Sequence, residues 1–261
     1  MKKRLLTAVL VATMGLGLTA CGGSDKESDM EYVKDNGKLV VGITEFEPMD
    51  YRDEDKNWIG FDADMATEFA KHLGVEVEFV EIEWDNKVME VDGKTVDCIW
   101  NGMTLNDEVT NAMDCSNAYC NNAQVVVVPK EKADQYQDVE SLSDLQFAVE
   151  AGSAGKEQAE AHNLQFTEVT NQANALTEVK AKTSDAAIID SLMAAAMVGE
   201  GTSYEDLTYT IGLNDEKYGV GFRKGSDLVD ELNQFFKDSY EDGTMKKIAE
   251  KYGVQAALIE Q

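Results

Sequence analysis

From Lys38 onward the chain alternates between two kinds of apolar pattern. Short apolar runs are separated by segments in which apolar residues return every three or four positions. That alternation predicts strands joined by crossover helices in a mostly parallel sheet, an α/β architecture. Lys38 to Thr44 predicts the first strand. Phe61, Met65, Phe69 and Leu73 recur every four residues with Ala66 and Ala70 beside them, giving a helix one apolar face, and Gly74 follows where a left-handed stop closes it. Val75, Val77 and Phe79 alternate with Glu76 and Glu78 and predict a half-buried strand leading to Trp84. Asp97 to Trp100 predicts another. Four consecutive valines between Gln124 and Pro129 suit a strand buried on both faces.

The second half repeats the alternation without repeating the sequence. Ser141 to Leu145 reads as a capped helical turn before a strand from Phe147 to Glu150, which runs into Ala151-Gly152-Ser153-Ala154-Gly155 and a second strand-helix unit. The helix after Gly152 fades near His162, Asn171 or Asn174 opens the next, and Asp185 to Asp190 is the following strand. Leu207 to Leu213 and Tyr218 to Arg223 predict further strands. Helices from Asp227 to Glu241 and from Met245 to Tyr252, divided at Gly243, complete the pattern.

The N-terminal residues obey a different rule. Lys2, Lys3 and Arg4 precede an apolar run from Leu5 to Leu18, and the run ends in Leu18-Thr19-Ala20-Cys21. Such a run is too short to span a bilayer and reads as an export signal over residues 1–20. Its ending resembles the bacterial lipobox, and the resemblance implies a diacylated Cys21 as the first residue of the mature chain. The competing reading is an ordinary cleaved signal with Cys21 incidental. Several acyl chains hold a protein to a membrane where one does not, at about 0.8 kcal/mol per buried methylene. Gly22 to Asp29 contains no apolar residue, so residues 21–30 are expected to be a flexible tether. The expected location is extracytoplasmic, lipid-anchored to the bacterial cell membrane.

Charge narrows the choice of partner. The whole chain carries a net charge of -27, and loss of the three cations in the signal leaves 20 Lys+Arg against 50 Asp+Glu. Nucleic acid is excluded as a partner, because phosphate binding needs clustered cations. Anionic lipid is repelled as well, so the acyl chains alone must make membrane contact. The remaining ~230 residues suffice for two lobes with separate cores. Cys98, Cys115 and Cys120 form an odd set, leaving at least one unpaired and the pairing open. No metal site is expected, since His72 and His162 are the only histidines and no Cys-x-x-Cys occurs. No cofactor is expected either.

From about Lys38 to Tyr252 the chain resembles the bacterial extracellular solute-binding proteins of family 3, which bind polar amino acids and feed ABC importers. The resemblance is carried jointly by Lys38-Leu39-Val40-Val41-Gly42, Pro48, Gly60 to Asp64, Trp84, Asp97 with Asn101-Gly102-Met103-Thr104, Asp114-Cys115-Ser116 with Tyr119, Ser141 to Leu145, Gly152-Ser153, Asp185 to Asp190 and Tyr218-Gly219-Val220. It implies a two-lobed periplasmic-binding-protein-like fold of type II. Two hinge strands would join mixed, mostly parallel sheets, with residues 31–121 plus 219–261 in lobe 1 and 122–218 in lobe 2. The protein would be a monomer that captures a small amine-bearing solute, a polar amino acid, and delivers it to the transporter permease.

The same resemblance assigns the ligand residues. Phe46 and Trp84 match aromatic positions that sandwich the ligand side chain, worth about 0.5–2 kcal/mol of cation–π attraction for a cationic ligand. The competing role for each ring is simply to plug core. Asp190 matches the carboxylate that holds the α-ammonium, with a helix N-cap for Ser191 as the competing role. Asn101 and Gly102 would assist through backbone carbonyls and Thr104 through its hydroxyl. The family grips the ligand carboxylate with an arginine where this chain has Val109. Backbone amides at Ser153, Ala154 and Gly155, with the Ser153 hydroxyl, must then serve, or another cation reaches in from Arg52, Lys87, Lys156 or Lys217. Cys115 replaces the usual phenylalanine as a core change. Glu150, at a position where some relatives contact ligand, reads as a solvated charge.

No Gly-x-Ser-x-Gly, Walker loop or Ser-His-Asp arrangement is evident, so no enzyme is expected. The rival readings on the same fold are a cyclohexadienyl-dehydratase-like enzyme with Glu150 or Glu216 as general acid, and a tethered sensor read by a receptor.

Overall fold

A computed structural model describes residues 28–261, which form two sheet-based lobes. The signal segment, Cys21 and most of the expected tether lie outside the described residues. The first lobe begins with α1 (Asp29–Asn36), β1 (Lys38–Ile43), the short pair β2 (Tyr51–Arg52) and β3 (Trp58–Ile59), and α2 (Phe61–Leu73). It continues through β4 (Glu76–Glu81), α3 (Lys87–Asp92), β5 (Cys98–Thr104), α4 (Asp107–Ala112), β6 (Asp114–Cys115) and β7 (Cys120–Asn122). The second lobe comprises β8 (Gln124–Pro129), β9 (Gln146–Glu150), α5 (Ala154–Ala161), β10 (Gln165–Val169), α6 (Gln172–Ala181), β11 (Ala186–Asp190), α7 (Ser191–Met197) and β12 (Leu207–Gly212). The chain then returns to the first lobe with β13 (Glu216–Phe222), α8 (Leu228–Glu241) and α9 (Thr244–Tyr252).

Strand order in the first sheet is β4-β1-β5-β13-β6, with β7 also on β13; in the second it is β10-β9-β11-β8-β12. In each sheet the strands followed by helices run parallel, and the strands that arrive from the other lobe run antiparallel: β13 against β5, and β8 against β11. Two antiparallel crossings therefore join two parallel units. Asn122 still pairs with Glu216 in the first sheet, so strand pairing passes from one sheet to the other at 123 and at 213–215.

The helices and strands form where the apolar pattern places them. Phe61, Met65, Ala66, Phe69, Ala70 and Leu73 of α2 are buried against the first sheet. In β8, Val125 and Val127 face one core cluster while Val126 and Val128 face another, as alternation demands of a strand covered on both sides. Two expectations need correction. Asp29 and Met30 belong to α1, whose N-cap is Ser28, so the first lobe begins inside the stretch read as a tether. Buried Arg223 fixes this helix, since its Nη2 lies 2.9 Å from Asp29 Oδ1 and 3.3 Å from Asp97 Oδ1. The turn read as capped by Ser141 is a 3-10 turn, Val139–Leu142, capped by Asp138, whose Oδ1 accepts from the Ser141 N–H at 2.9 Å. Cys98, Cys115 and Cys120 are all free thiols.

Candidate functional site

Parallel strands of both lobes end on a common cleft, which is where backbone groups and side chains of an open α/β sheet are free to meet a ligand. The cavity there holds ≈ 450 Å³ of atom-free space, part of it open to solvent. From the first lobe, the end of β1 contributes Thr44, Glu45 and Phe46, the turn after β4 contributes Trp84 and Lys87, and the end of β5 contributes Asn101 to Thr104. Asn106 and Val109 complete that wall. From the second lobe come Glu150 at the end of β9, Gly152, Ser153 and Ala154 at the start of α5, Gln172 at the start of α6, and Asp190 at the end of β11. Every residue assigned to ligand on sequence, namely Phe46, Trp84, Asn101, Gly102, Thr104, Ser153, Ala154 and Asp190, lines this one cavity.

The two rings both pack core and wall the cleft. A reciprocal backbone pair with Asp50 (Phe46 N to Asp50 O 2.7 Å, Asp50 N to Phe46 O 2.8 Å) holds Phe46, and its ring meets Tyr218 edge-on at 6.2 Å. Gly102, at φ 53°, lies under that ring: a Cβ there would come within 2.3 Å of Phe46 Cε1. Trp84 packs with Val91, Ile99, Met103 and Val109 in an apolar cluster of the first lobe. Val109, 2 % exposed, is therefore wall and offers no polar atom.

Several polar residues are committed to one another. Asn101 Oδ1 accepts from the Thr44 N–H and hydroxyl at 3.1 and 2.7 Å, while its Nδ2 donates to Thr44 O and to Asp50 Oδ2 at 3.0 and 2.7 Å. The Asn101 side chain thus braces β1 to β5. The Thr104 hydroxyl donates to Glu216 Oε1 at 3.0 Å. Ser153 is the N-cap of α5, its hydroxyl oxygen accepting from the Lys156 N–H at 3.2 Å.

Asp190 occupies the N-cap position of α7 but makes no capping bond, so the helix-cap role is excluded. Its carboxylate, 4 % exposed, instead accepts from Tyr218 Oη at 2.6 Å, from Gln124 Nε2 at 3.1 Å, and from the amides of Asn122 and Gln172. No lysine or arginine among the described residues pairs with it. Burial, and then the charge of Glu216, push its pKa up to about 8 against the lowering effect of the Tyr218 and Gln172 bonds. Glu150 is also buried, at 3 % exposure, and its Oε1 has no protein partner. It is no solvated charge: burial, with the Asp190 carboxylate adding to it, raises it to about 8.

The four cations that could replace the missing arginine separate cleanly. Arg52 is committed to Glu45, Glu81 and the Trp58 face, Lys156 lies 3.0 Å from Glu168, and Lys217 lines a different cavity with Asp215 and Glu216. Lys87 lines the cleft, and its Nζ donates to Gly152 O at 2.9 Å across the lobes. The lobes touch there. A Cβ on Gly152, at φ 67°, would lie 2.7 Å from Asp85 Cα, and a second bridge runs from Asn106 Nδ2 to Glu157 Oε1 at 2.6 Å. Sequence pattern gave no sign of Gln172, Asn122 or Gln124, whose roles arise only from the meeting of β7, β8 and α6 at Asp190.

The family model for bacterial extracellular solute-binding proteins, family 3, matches residues 39–255. Over 261 aligned residues the chain is 28 % identical to the arginine-binding extracellular protein ArtP of Bacillus subtilis, covering 97 % of this chain and 98 % of that protein. It is 29 % identical to the L-cystine-binding protein TcyA of the same organism, covering 97 % of each. Among solved structures, a substrate-binding protein of an ABC uptake transporter from Streptococcus pneumoniae with bound histidine superposes with a TM-score of 0.80 at 29 % identity, covering 88 % of this chain and 98 % of that one. An ancestral amino acid-binding protein, a precursor of cyclohexadienyl dehydratase, superposes with a TM-score of 0.79 at 30 % identity, covering 86 % and 99 %. With the order of its strands, the two crossings and a cleft at the strand ends, the chain has the type II periplasmic-binding-protein fold and belongs to the bacterial extracellular solute-binding proteins of family 3.

Proposed function

We propose that this protein captures a small amine-bearing solute, a polar amino acid, between its lobes and hands it as a monomer to the permease of an ABC importer. The observation that carries this reading is Asp190: a buried carboxylate surrounded by four hydrogen-bond donors, without a protein cation among the described residues, at the end of a cleft walled by two aromatic rings. A ligand ammonium supplies the missing positive charge. Phe46 and Trp84 take the ligand body, Gly102 and Thr104 assist the amine, and the start of α5 at Ser153 and Ala154 faces its other end. A ligand touching both lobes favours the closed arrangement by its contacts there. On this reading lobe 1 is built on the first sheet and lobe 2 on the second, with lipid on Cys21 holding the protein at the membrane.

A thermal-shift screen of the twenty amino acids, L-cystine and simple amines tests it, beginning with arginine, cystine and histidine because proteins similar to this one bind them. Calorimetry should then show Asp190→Ala weakening the best ligand about tenfold or more, at about 1.4 kcal/mol per tenfold. An unchanged affinity removes Asp190 from the site. For the anchor, Cys21→Ala should abolish incorporation of labelled fatty acid.

An enzymatic reading draws on Glu150, an acid lining the cleft whose pKa burial raises to about 8, so that it keeps a proton to donate as a general acid. Incubation with prephenate and arogenate decides it: product formation supports a dehydratase, binding without turnover supports a carrier.

A further inference from the structure

We infer that Lys87 is the anchor for the ligand's carboxylate, in the role left open by Val109; this rests on the amino-acid reading above. Lys87 is 3 % exposed, lines the cleft, and has no carboxylate within 4.0 Å among the described residues. Among the described residues the one hydrogen bond of its ammonium is to a neutral acceptor, Gly152 O at 2.9 Å, and Nζ stands 5.3 Å from the centre of the Trp84 ring. An ammonium offers three donors. Taking a charge out of water without a counterion is costly, and a fold retains such a group when a partner arrives from outside. Burial accordingly lowers the Lys87 pKa, against the pull of Glu108, Asp85, Glu150 and Glu157.

The surroundings select an anion of one kind. Glu150 lines the same cavity but makes no ion pair with the lysine, so Nζ is left for an anion from outside. Lys87 reaches across to the loop that opens α5, where the N–H of Ala154 is free of acceptors among the described residues. A lysine and a helix start aimed at one space hold a carboxylate. Asp190 lines the same cavity from the end of β11. A zwitterion satisfies both at once, with ammonium to Asp190 and carboxylate to Lys87, and a plain amine satisfies only one. The Lys87–Gly152 bridge also explains why carboxylate recognition would be coupled to closure, since the same ammonium touches both lobes.

The test measures a ratio by calorimetry at pH 7: L-arginine against agmatine, L-histidine against histamine, L-cystine against cystamine, and for any other amino acid that binds, its α-decarboxylated amine. Wild type should prefer the amino acid by about tenfold or more. Lys87→Met should erase most of that preference while leaving the affinity for the amine within a few-fold, and Lys87→Arg should restore it. A structural role would weaken acid and amine alike, so an unchanged ratio in Lys87→Met overturns the inference and leaves the amine-capture reading intact. So does a wild type that binds the amine as tightly as the amino acid. If Lys87→Met fails to fold, Lys87→Arg and Lys87→Gln carry the same comparison. A wild type that binds no amino acid at all overturns the capture reading, and the Lys87 role with it.

Discussion

A proton and a ligand ammonium compete for the same Asp190 oxygens, and the competition has a computable size. In the ligand-free protein burial lifts this carboxyl to about 8, so at pH 7 it is mostly the neutral acid. Binding a cation requires the carboxylate, so the apparent dissociation constant carries a factor of one plus the ratio of protonated to ionised Asp190. That factor is about 100 at pH 6 and about 2 at pH 8, which makes binding about 50-fold weaker at pH 6, or roughly 2.3 kcal/mol. With a ligand whose ammonium titrates well above pH 8 and that carries no imidazole, Asp190 alone sets the sign: affinity falls as pH falls. Isothermal calorimetry at pH 6, 7 and 8 measures the change directly. Repeating the pH 7 titration in buffers of different ionisation heat should show roughly 0.9 proton released per ligand. Asp190→Asn must bind weakly and lose the pH dependence, while Glu150→Gln, which removes the other group titrating near 8, must keep it. A dissociation constant that stays level between pH 6 and 8 refutes the reasoning, because a charged ligand cannot then be displacing a proton from this site.

Three further outcomes follow from the packing. Gly102→Ala places a methyl within 2.3 Å of the Phe46 ring at a residue whose φ is 53°, so the ring must leave the cleft; calorimetry should show at least a tenfold loss, and full affinity would mean Phe46 does not touch ligand. Arg223→Met strands the buried carboxylates of Asp29 and Asp97, and also the Val91 and Val96 carbonyls that accept from Nη1 at 3.2 and 2.9 Å. It should cost about 3–5 kcal/mol, lowering Tm by roughly 10 °C, and a Tm within two degrees of wild type would show the cluster contributes little. Asp62, buried among Gly102 N, Tyr119 Oη and Trp100, is pushed up to about 7 by its burial. A raised carboxyl pKa means the folded state holds its proton where the unfolded chain has lost it. Its stabilisation is therefore complete below about pH 4 and is lost as pH rises toward 7, at no more than about 1.4 kcal/mol per pH unit. The urea midpoint should fall between pH 5 and pH 7.5, and fall less in Asp62→Asn; a midpoint that rises over that range contradicts the assignment.

Local pattern alone determined most of the scaffold. The four-residue spacing of α2, the valines of β8 and the strand ending at Asp190 each describe a face that must be covered, and short-range sterics and burial suffice to read them. The family resemblance, and not the pattern, named the eight candidate ligand residues, all of which line one cavity. What it did not decide is what each side chain does there. Asn101 turned out to brace Thr44 and Asp50, Ser153 to cap α5, and Glu150 to be buried where a charged, exposed group was expected. Which of four cations faces the cleft was equally silent, since Lys87 meets Gly152 across a separation of 65 residues. Asp190 collects its donors from Asn122, Gln124, Gln172 and Tyr218, on four different elements. Periodicity is a property of neighbours along the chain and survives in the bare sequence. Protonation and pairing depend on distance and on exclusion of water, and those exist only once the two lobes have brought remote residues together.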